Sequence, residues 1–214
     1  MSAHRFLATS GLLLTLLMVG ALAACQGSAE GQSYQGTEFP DRPLAPDFRL
    51  VDQMGQSAAL SDSRGKLVVL TFLDSRCVDV CPLTAVMLRE AAKALGASSG
   101  QVAFLGLNTN SFAAEIEDVR LWTEENRLGE IAGWRFLTGA PPELEAVWKG
   151  YFIAVDITSD GHDDHQHVSH TAGIYLIDRQ GRERWYLGVE ADAGAVASMS
   201  MTLTQRVQAL LRER

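Results

Sequence analysis

Apolar residues recur along the chain at two spacings, one typical of strands and the other of helices. Two continuous apolar runs, KLVVLTFL (66–73) and QVAFLGLNT (101–109), are typical of strands that are buried on both faces of a sheet. Between them, residues 84–97 carry apolar side chains at helical spacing and include a glycine stop. The middle of the chain therefore predicts a strand, a helix and a second strand.

The rest of the chain continues this alternation. The further predicted elements are a strand, turn and return strand over 47–60, a helix over 113–126, a strand over 134–139, a helix opening at Pro141, a hairpin over 170–187 and a closing helix from about Ala193. Such alternation predicts the α/β class. Within this class we expect a thioredoxin-like three-layer sandwich with a mixed central sheet, an N-terminal strand pair and a C-terminal helix.

The N-terminus has the order of an export signal. One cation, Arg5, precedes the apolar run GLLLTLLMVGALAA (11–24), and the run leads into LAAC, which is similar to the lipobox of bacterial lipoproteins. We therefore predict a lipoprotein signal peptide over 1–24, with Cys25 as the lipidated first residue after cleavage. The alternative is an uncleaved anchor, because residues 6–24 are just long enough to span a bilayer. Both interpretations place the remainder in the cell envelope, on the extracytoplasmic side of the membrane, where a disulfide can persist.

Composition sets the domain bounds and excludes one class of partner. Residues 25–42 are rich in Gly, Ser, Gln and Glu and predict a flexible, lipid-anchored tether, which leaves 43–214 as the folded domain. Without residues 1–24 the formal net charge changes from −8 to −9, because one arginine is removed and no acidic residue. We expect no nucleic-acid partner, since affinity for phosphate depends on clustered cationic contacts.

The stretch SRCVDVCP holds two of the three cysteines, Cys77 and Cys81, in a C-x-x-x-C spacing. It lies between the strand 66–73 and the helix from Thr84. Pro82 fits a helix only in its first turn, so Cys81 is expected at the helix start and Cys77 in the loop before it. A helix N-terminus stabilises thiolates. Two thiolates held close are soft ligands suited to Cu(I) or zinc, and two thiols can also form a redox-active or a purely structural disulfide.

A metal site needs a third ligand, and four of the five histidines lie in DGHDDHQHVSHT (160–171). His170 directly precedes the predicted strand AGIYLID, so we expect a sheet edge to hold it in place. His162, His165 and His167 lie in an acidic, Gly-containing stretch that predicts a loop. Solvated surface is the simpler interpretation of these three, and a second metal site is the alternative.

Together these features resemble the Sco/SenC family of thioredoxin-fold copper-binding proteins. The resemblance covers roughly Pro43 to the C-terminus and rests on CVDVCP, with an aspartate between the cysteines, and on a distant histidine before Thr171 and a hydrophobic strand. It implies that Cys77, Cys81 and His170 bind copper as Cu(I), with Cu(II) left open. It also implies a metallochaperone that delivers copper to, or prepares, the CuA centre of cytochrome c oxidase. The expected partners are the membrane-bound subunit that carries this centre and a thiol reductant.

The chain departs from the family pattern at two places. Val78 stands where the family usually has a proline, and LNTNSF (107–112) stands where many members have an acidic Asp-Pro-Glu-Arg-like loop. Both departures leave the predicted ligands intact, but they bear on the identity of the target. Asp79 is read either as a carboxylate that supports the ligands or as an exposed loop residue. A structural zinc site is disfavoured, because it takes four ligands and three are in view.

The main alternative is an envelope thiol–disulfide oxidoreductase that uses Cys77 and Cys81 as its redox pair. Thioredoxins keep a cis-proline opposite their cysteines, but the last proline here is Pro142, so none precedes the strand IYLID. A peroxiredoxin is less favoured still, because the residue three before Cys77 is Asp74 and not a threonine. We therefore predict a metallochaperone and not an enzyme, with thiol–disulfide exchange as the competing activity.

Overall fold

The computed structural model describes residues 36–159, 166–190 and 192–213, with the backbone alone at Ser159 and Gln166. Strands and helices alternate along these ranges. In these ranges the strands are β1 Thr37–Glu38, β2 Arg49–Val51, β3 Ser57–Ala59, β4 Leu67–Leu73, β5 Val102–Asn108, β6 Arg135–Leu137, β7 Val155–Ser159, β8 Gln166–His170, β9 Gly173–Ile177 and β10 Glu183–Gly188. The α-helices are α1 Val80–Leu95, α2 Ile116–Glu125, α3 Pro141–Gly150 and α4 Val196–Arg212.

A six-stranded mixed sheet in the order β1-β10-β9-β4-β5-β6 forms the middle layer. Strands β4, β5 and β6 run parallel, whereas β9 pairs with β4 in the antiparallel direction and β10 and β1 extend that side of the sheet. Every residue of β4 is buried, as expected for a strand that is covered on both faces. The predicted α/β class with a mixed central sheet is confirmed.

Helices cover both faces of this sheet. Successive residues of β4 point to opposite sides, so that Val69 belongs to one apolar core and Leu70 to the other. The first core packs α1, α2 and α4 against the sheet, with Leu88 and Leu203 fully buried. The second core packs α3, through Leu144, and the β2–β3 strand pair against the other face. The result is the predicted three-layer arrangement with its N-terminal strand pair and C-terminal helix.

Helix α1 begins at Val80, one residue before Cys81, which Pro82 predicted at the helix start, and four residues before the apolar spacing that starts at Thr84. The carboxylate of Asp79 accepts a hydrogen bond from the Val80 N–H at 2.6 Å, and Pro82 lies in the first turn, where its missing N–H costs nothing. The first turn was therefore located by its proline and not by the apolar spacing.

An antiparallel hairpin of β7 and β8 was not predicted. It pairs Val155 with His170 and places His167 within a strand, so the predicted loop for this histidine is wrong. His162 and His165 lie outside the described residues. Strand β8 reads QHVSH and has little apolar content, so its backbone pairing with β7 left no hydrophobic pattern to detect.

The C-terminal bound of the predicted tether, residues 25–42, is also corrected. Thr37–Glu38 adds an edge strand to β10, and the Phe39 ring stacks on Tyr175 with ring centroids 6.1 Å apart. Backbone hydrogen bonds to a sheet edge do not require apolar side chains, so a polar segment can belong to a sheet. The folded domain therefore begins before Pro43.

The predicted signal peptide, Cys25 and the alternative anchor over 6–24 lie outside the described residues. In the part of the chain that the structure does describe, no helix is long and apolar enough to cross a bilayer. Attachment to a membrane therefore stays a prediction from the sequence.

Candidate metal and dithiol site

The chain turns from β4 into α1 at one edge of the sheet, and this turn carries both cysteines. Cys77 is half-buried in the turn, where its N–H donates to the Asp74 carbonyl at 3.1 Å. Cys81 is buried in the first turn of α1. Both cysteines therefore lie where the sequence predicted, at the strand end and the helix N-terminus.

The two sulfurs have different surroundings, and both are free thiols. The Cys81 N–H donates to the Cys77 sulfur at 3.3 Å, and the Cys77 thiol donates to the Asp79 carboxylate at 3.0 Å. A hydrogen bond between the two cysteine side chains, with the Cys81 thiol as donor, lowers the pKa of the Cys77 thiol, although burial acts in the opposite direction. The same hydrogen bond, followed by burial, raises the pKa of Cys81 above its ordinary value. Cys77 is therefore the thiol that ionises first.

His170, the last residue of β8, faces the buried cysteine. Its Nε2 lies 3.8 Å from the Cys81 sulfur, and its Nδ1 lies 3.0 Å from the Thr171 carbonyl oxygen. A carbonyl only accepts hydrogen bonds, so the proton of a neutral imidazole belongs on Nδ1 and the Nε2 lone pair is directed at the sulfur. Burial lowers the pKa of His170, which favours this neutral form.

The separation between His170 Nε2 and the Cys81 sulfur fits a shared metal ion. With zinc bond lengths as a guide, about 2.3 Å to sulfur and about 2.0 Å to nitrogen, an angle of about 120° separates the two ligand atoms by about 3.7 Å. No three His, Cys, Asp or Glu side chains of the described ranges already stand in position to hold an ion. The Cys77 thiol donates its proton to Asp79, so this hydrogen bond has to be given up when the sulfur binds a metal as a thiolate.

One open pocket of about 290 Å³ contains all three predicted ligands. It is also lined by Asp74, Asp79, Asn110 and His167, so the structure brings one of the three remaining candidate histidines to the same mouth. His167 is exposed, and no hydrogen bond in the described part of the chain joins it to a cysteine. Asp79, for which the sequence left two interpretations, contacts the Cys77 sulfur directly.

Three residues that support the cysteine turn were missed by the sequence analysis. Trp122, buried in α2, donates from its indole Nε1 to the Cys77 carbonyl at 3.3 Å. Asp74 and Asn110 contact each other beneath the turn, with Asn110 Nδ2 2.9 Å from Asp74 Oδ1. The sequence offered one signal: both polar residues follow the predicted end of a buried strand, where α/β sheets usually bind ligands.

The fold and this pocket define a class of protein: a thioredoxin-like domain with a dithiol and a histidine at the sheet edge. The family model described as SCO1/SenC matches residues 37–205, and the chain belongs to that family. Its relatives include the bovine mitochondrial protein SCO2 homolog, which is 26% identical over 186 residues, covering 79% of this chain and 66% of the relative. The match therefore spans slightly less than two thirds of that relative's length.

Solved structures share the fold. Bradyrhizobium japonicum ScoI with copper bound superposes with a TM-score of 0.64 at 20% identity, covering 78% of this chain and 99% of ScoI. The thioredoxin domain of a thiol-disulfide oxidoreductase from Bacteroides vulgatus superposes with a TM-score of 0.55 at 18% identity, covering 78% of this chain and 95% of that domain. The predicted thioredoxin-like fold and the predicted family are both confirmed.

Proposed function

We propose that this protein is an extracytoplasmic copper metallochaperone in which Cys77, Cys81 and His170 hold Cu(I). The observation that carries the proposal is the 3.8 Å approach of His170 Nε2 to the Cys81 sulfur, in a pocket that also contains Cys77. Two thiolates and one neutral imidazole form a soft donor set that suits Cu(I). Membership of the SCO1/SenC family and the fold shared with copper-bound ScoI support the proposal.

The three ligands have different parts in holding and releasing this cargo. Cys81 is buried, and the half-buried His170 is held through the contact of its Nδ1 with the Thr171 carbonyl, so these two residues supply the fixed side of the site. Cys77 is half-exposed in the turn, so it is the ligand that an acceptor reaches first. Binding of Cu(I) to the two thiols releases two protons, and copper affinity should therefore rise with pH.

We further propose that the acceptor is the CuA centre of cytochrome c oxidase, carried by a membrane-bound subunit. This step rests on the family resemblance. Val78, which is 91% exposed beside Cys77, places an apolar side chain at the mouth where an acceptor must approach. Because a disulfide offers no thiolate, a thiol reductant is needed as a second partner in an oxidising compartment.

An anaerobic titration with Cu(I) tests this function. The protein is residues 26–214, which retain the complete folded unit and contain no thiol besides the pair. The reduced protein should withdraw one equivalent of Cu(I) from a chromophoric chelator, and the Cys77→Ser and Cys81→Ser variants should not. A parent protein that fails to compete with the chelator removes the metallochaperone proposal.

A second candidate function, thiol–disulfide exchange, is favoured by the free pair and by the lowered pKa of Cys77. A half-buried thiol that ionises early is the usual attacking group in such exchange. Reduction of a model disulfide by the dithiol form, with Cys77→Ser as the control, measures this activity. A rate no higher than that of a simple dithiol would exclude exchange as the main role.

We propose that the domain is tethered to the membrane through a lipidated Cys25. The observation behind it is the run GLLLTLLMVGALAA before LAAC. The Cys25→Ser variant is expected to be released from the membrane or to keep its precursor length, as judged by fractionation and mass spectrometry of the full chain. If the variant stays membrane-bound at full length and the parent is also uncleaved, the N-terminal segment is an anchor instead.

A further inference from the structure

Two buried polar residues, Asp74 and Asn110, connect the loop after β5 to the turn that carries the cysteines. Strands β4 and β5 are parallel neighbours, with Leu73 opposite Asn108, so the segments that follow both strands meet at one edge of the sheet. Asp74 is 6% exposed and Asn110 is 4% exposed. Because such burial is costly for polar groups without partners, their contacts define the local structure.

Asp74 shapes the turn that leads to Cys77. Its Oδ1 accepts hydrogen bonds from the Arg76 N–H at 2.8 Å and from Asn110 Nδ2 at 2.9 Å. Its backbone carbonyl accepts a hydrogen bond from the Cys77 N–H at 3.1 Å. The side chain and the backbone of one residue therefore fix the two peptide groups before the first cysteine, and Asn110 fixes the carboxylate that does so.

Asn110 is itself held on its other side. Its Oδ1 accepts from the Phe112 N–H at 3.0 Å, and its N–H donates to Asn108 Oδ1 at 3.0 Å. Asn108, which is fully buried, donates from Nδ2 to the Ala113 carbonyl at 2.7 Å. The loop that supports Asp74 is thus held by a connected set of hydrogen bonds through Asn108 and Asn110, and such networks rigidify the backbone that they join.

We propose that Asp74 and Asn110 form a positioning pair that keeps the Cys77 sulfur within reach of Cys81 and His170. Both side chains line the same pocket as the three predicted ligands. The inference deepens the proposed function. Only its prediction for Cu(I) binding rests on that function, and its prediction for the disulfide does not. Two equilibria require the two sulfurs together, binding of Cu(I) and closure of the disulfide, and both are favoured when the turn is held in advance. Release of the turn should therefore weaken both.

Alanine variants of residues 26–214 test the pair. Asp74→Ala and Asn110→Ala should each weaken Cu(I) binding about tenfold, by comparison with other residues that orient metal ligands. Each should also lower the equilibrium constant for disulfide formation in glutathione buffers by about tenfold, which is about 30 mV for a two-electron couple. The double variant should lose little more than either single variant, because the two changes remove one unit.

Two further variants separate positioning from general loss of stability. Asp74→Asn keeps an Oδ1 acceptor for both hydrogen bonds, so Cu(I) binding and disulfide formation should both stay near the parent values. Asp178→Ala removes a matched turn at the far end of β9, where Asp178 Oδ1 accepts from the N–H groups of Gln180 at 3.0 Å and Arg182 at 2.9 Å. It should lower the urea midpoint of unfolding and leave both equilibria unchanged.

The outcomes are decisive in each direction. Unchanged equilibria in Asp74→Ala and Asn110→Ala, or equal losses in Asp178→Ala, overturn the positioning pair. If the parent binds no Cu(I), the metallochaperone proposal fails, and the disulfide equilibrium still decides the role of the pair. Affinity losses in the two alanine variants, together with near-parent values in Asp74→Asn, support the positioning pair.

Discussion

Oxidation of Cys77 and Cys81 to a disulfide is expected to abolish Cu(I) binding, with a loss of affinity of more than about 100-fold. A disulfide has no thiolate to offer, so His170 would be left as a single imidazole ligand. The measurement is a Cu(I) competition titration on residues 26–214 after oxidation with oxidised glutathione. Thiol counting before the titration confirms that both sulfurs have reacted.

The matched control for this result is reduction of the same sample. Binding should return to one equivalent when the disulfide is reduced and the reductant is removed under anaerobic conditions. If the oxidised protein binds Cu(I) as tightly as the reduced protein, the copper site lies elsewhere. The histidines at 162, 165 and 167 are then the next candidates, and their combined replacement by alanine would locate the site.

Much of the fold follows from the sequence because burial leaves a direct pattern. The run over 66–73 is apolar throughout, and every residue of β4 is buried. Alternate residues of this strand enter opposite cores, as a strand between two helical layers requires. Elements held mainly by backbone pairing leave no such pattern. Strands β1 and β8 are polar, and both were missed for that reason.

The sequence predicted those parts of the candidate site whose position depends on residues close by in the chain. Pro82 placed Cys81 at the helix start, and the following apolar strand placed His170 at a sheet edge. The supporting contacts depend on residues that are distant in sequence. Trp122 reaches the carbonyl of Cys77 across 45 positions, and Asn110 reaches Asp74 across 36. No spacing rule in a single sequence connects such pairs, since the register of β4 and β5 has to be known first.

Replacement of His170 by alanine separates the two candidate functions. It removes the imidazole whose Nε2 lies 3.8 Å from the Cys81 sulfur, so Cu(I) binding should weaken by more than about 100-fold. Both sulfurs and the Asp79 contact of Cys77 remain, so thiol–disulfide exchange should continue at a similar rate, apart from a modest shift in the pKa of the thiols. Copper affinity and the rate of exchange with a model disulfide are measured on the same preparation.

The control replaces His162, His165 and His167 together, which tests whether the loss is specific to one histidine. His167 is exposed on the same strand as His170, so its removal should have little effect on tight binding. A metallochaperone requires that the His170 variant lose copper and keep exchange, whereas the triple variant keeps both. If the His170 variant instead binds copper as the parent does while exchange collapses, the imidazole serves the chemistry of the thiols. The protein is then better described as an oxidoreductase, because a residue whose removal leaves the copper affinity unchanged is not a ligand of the metal.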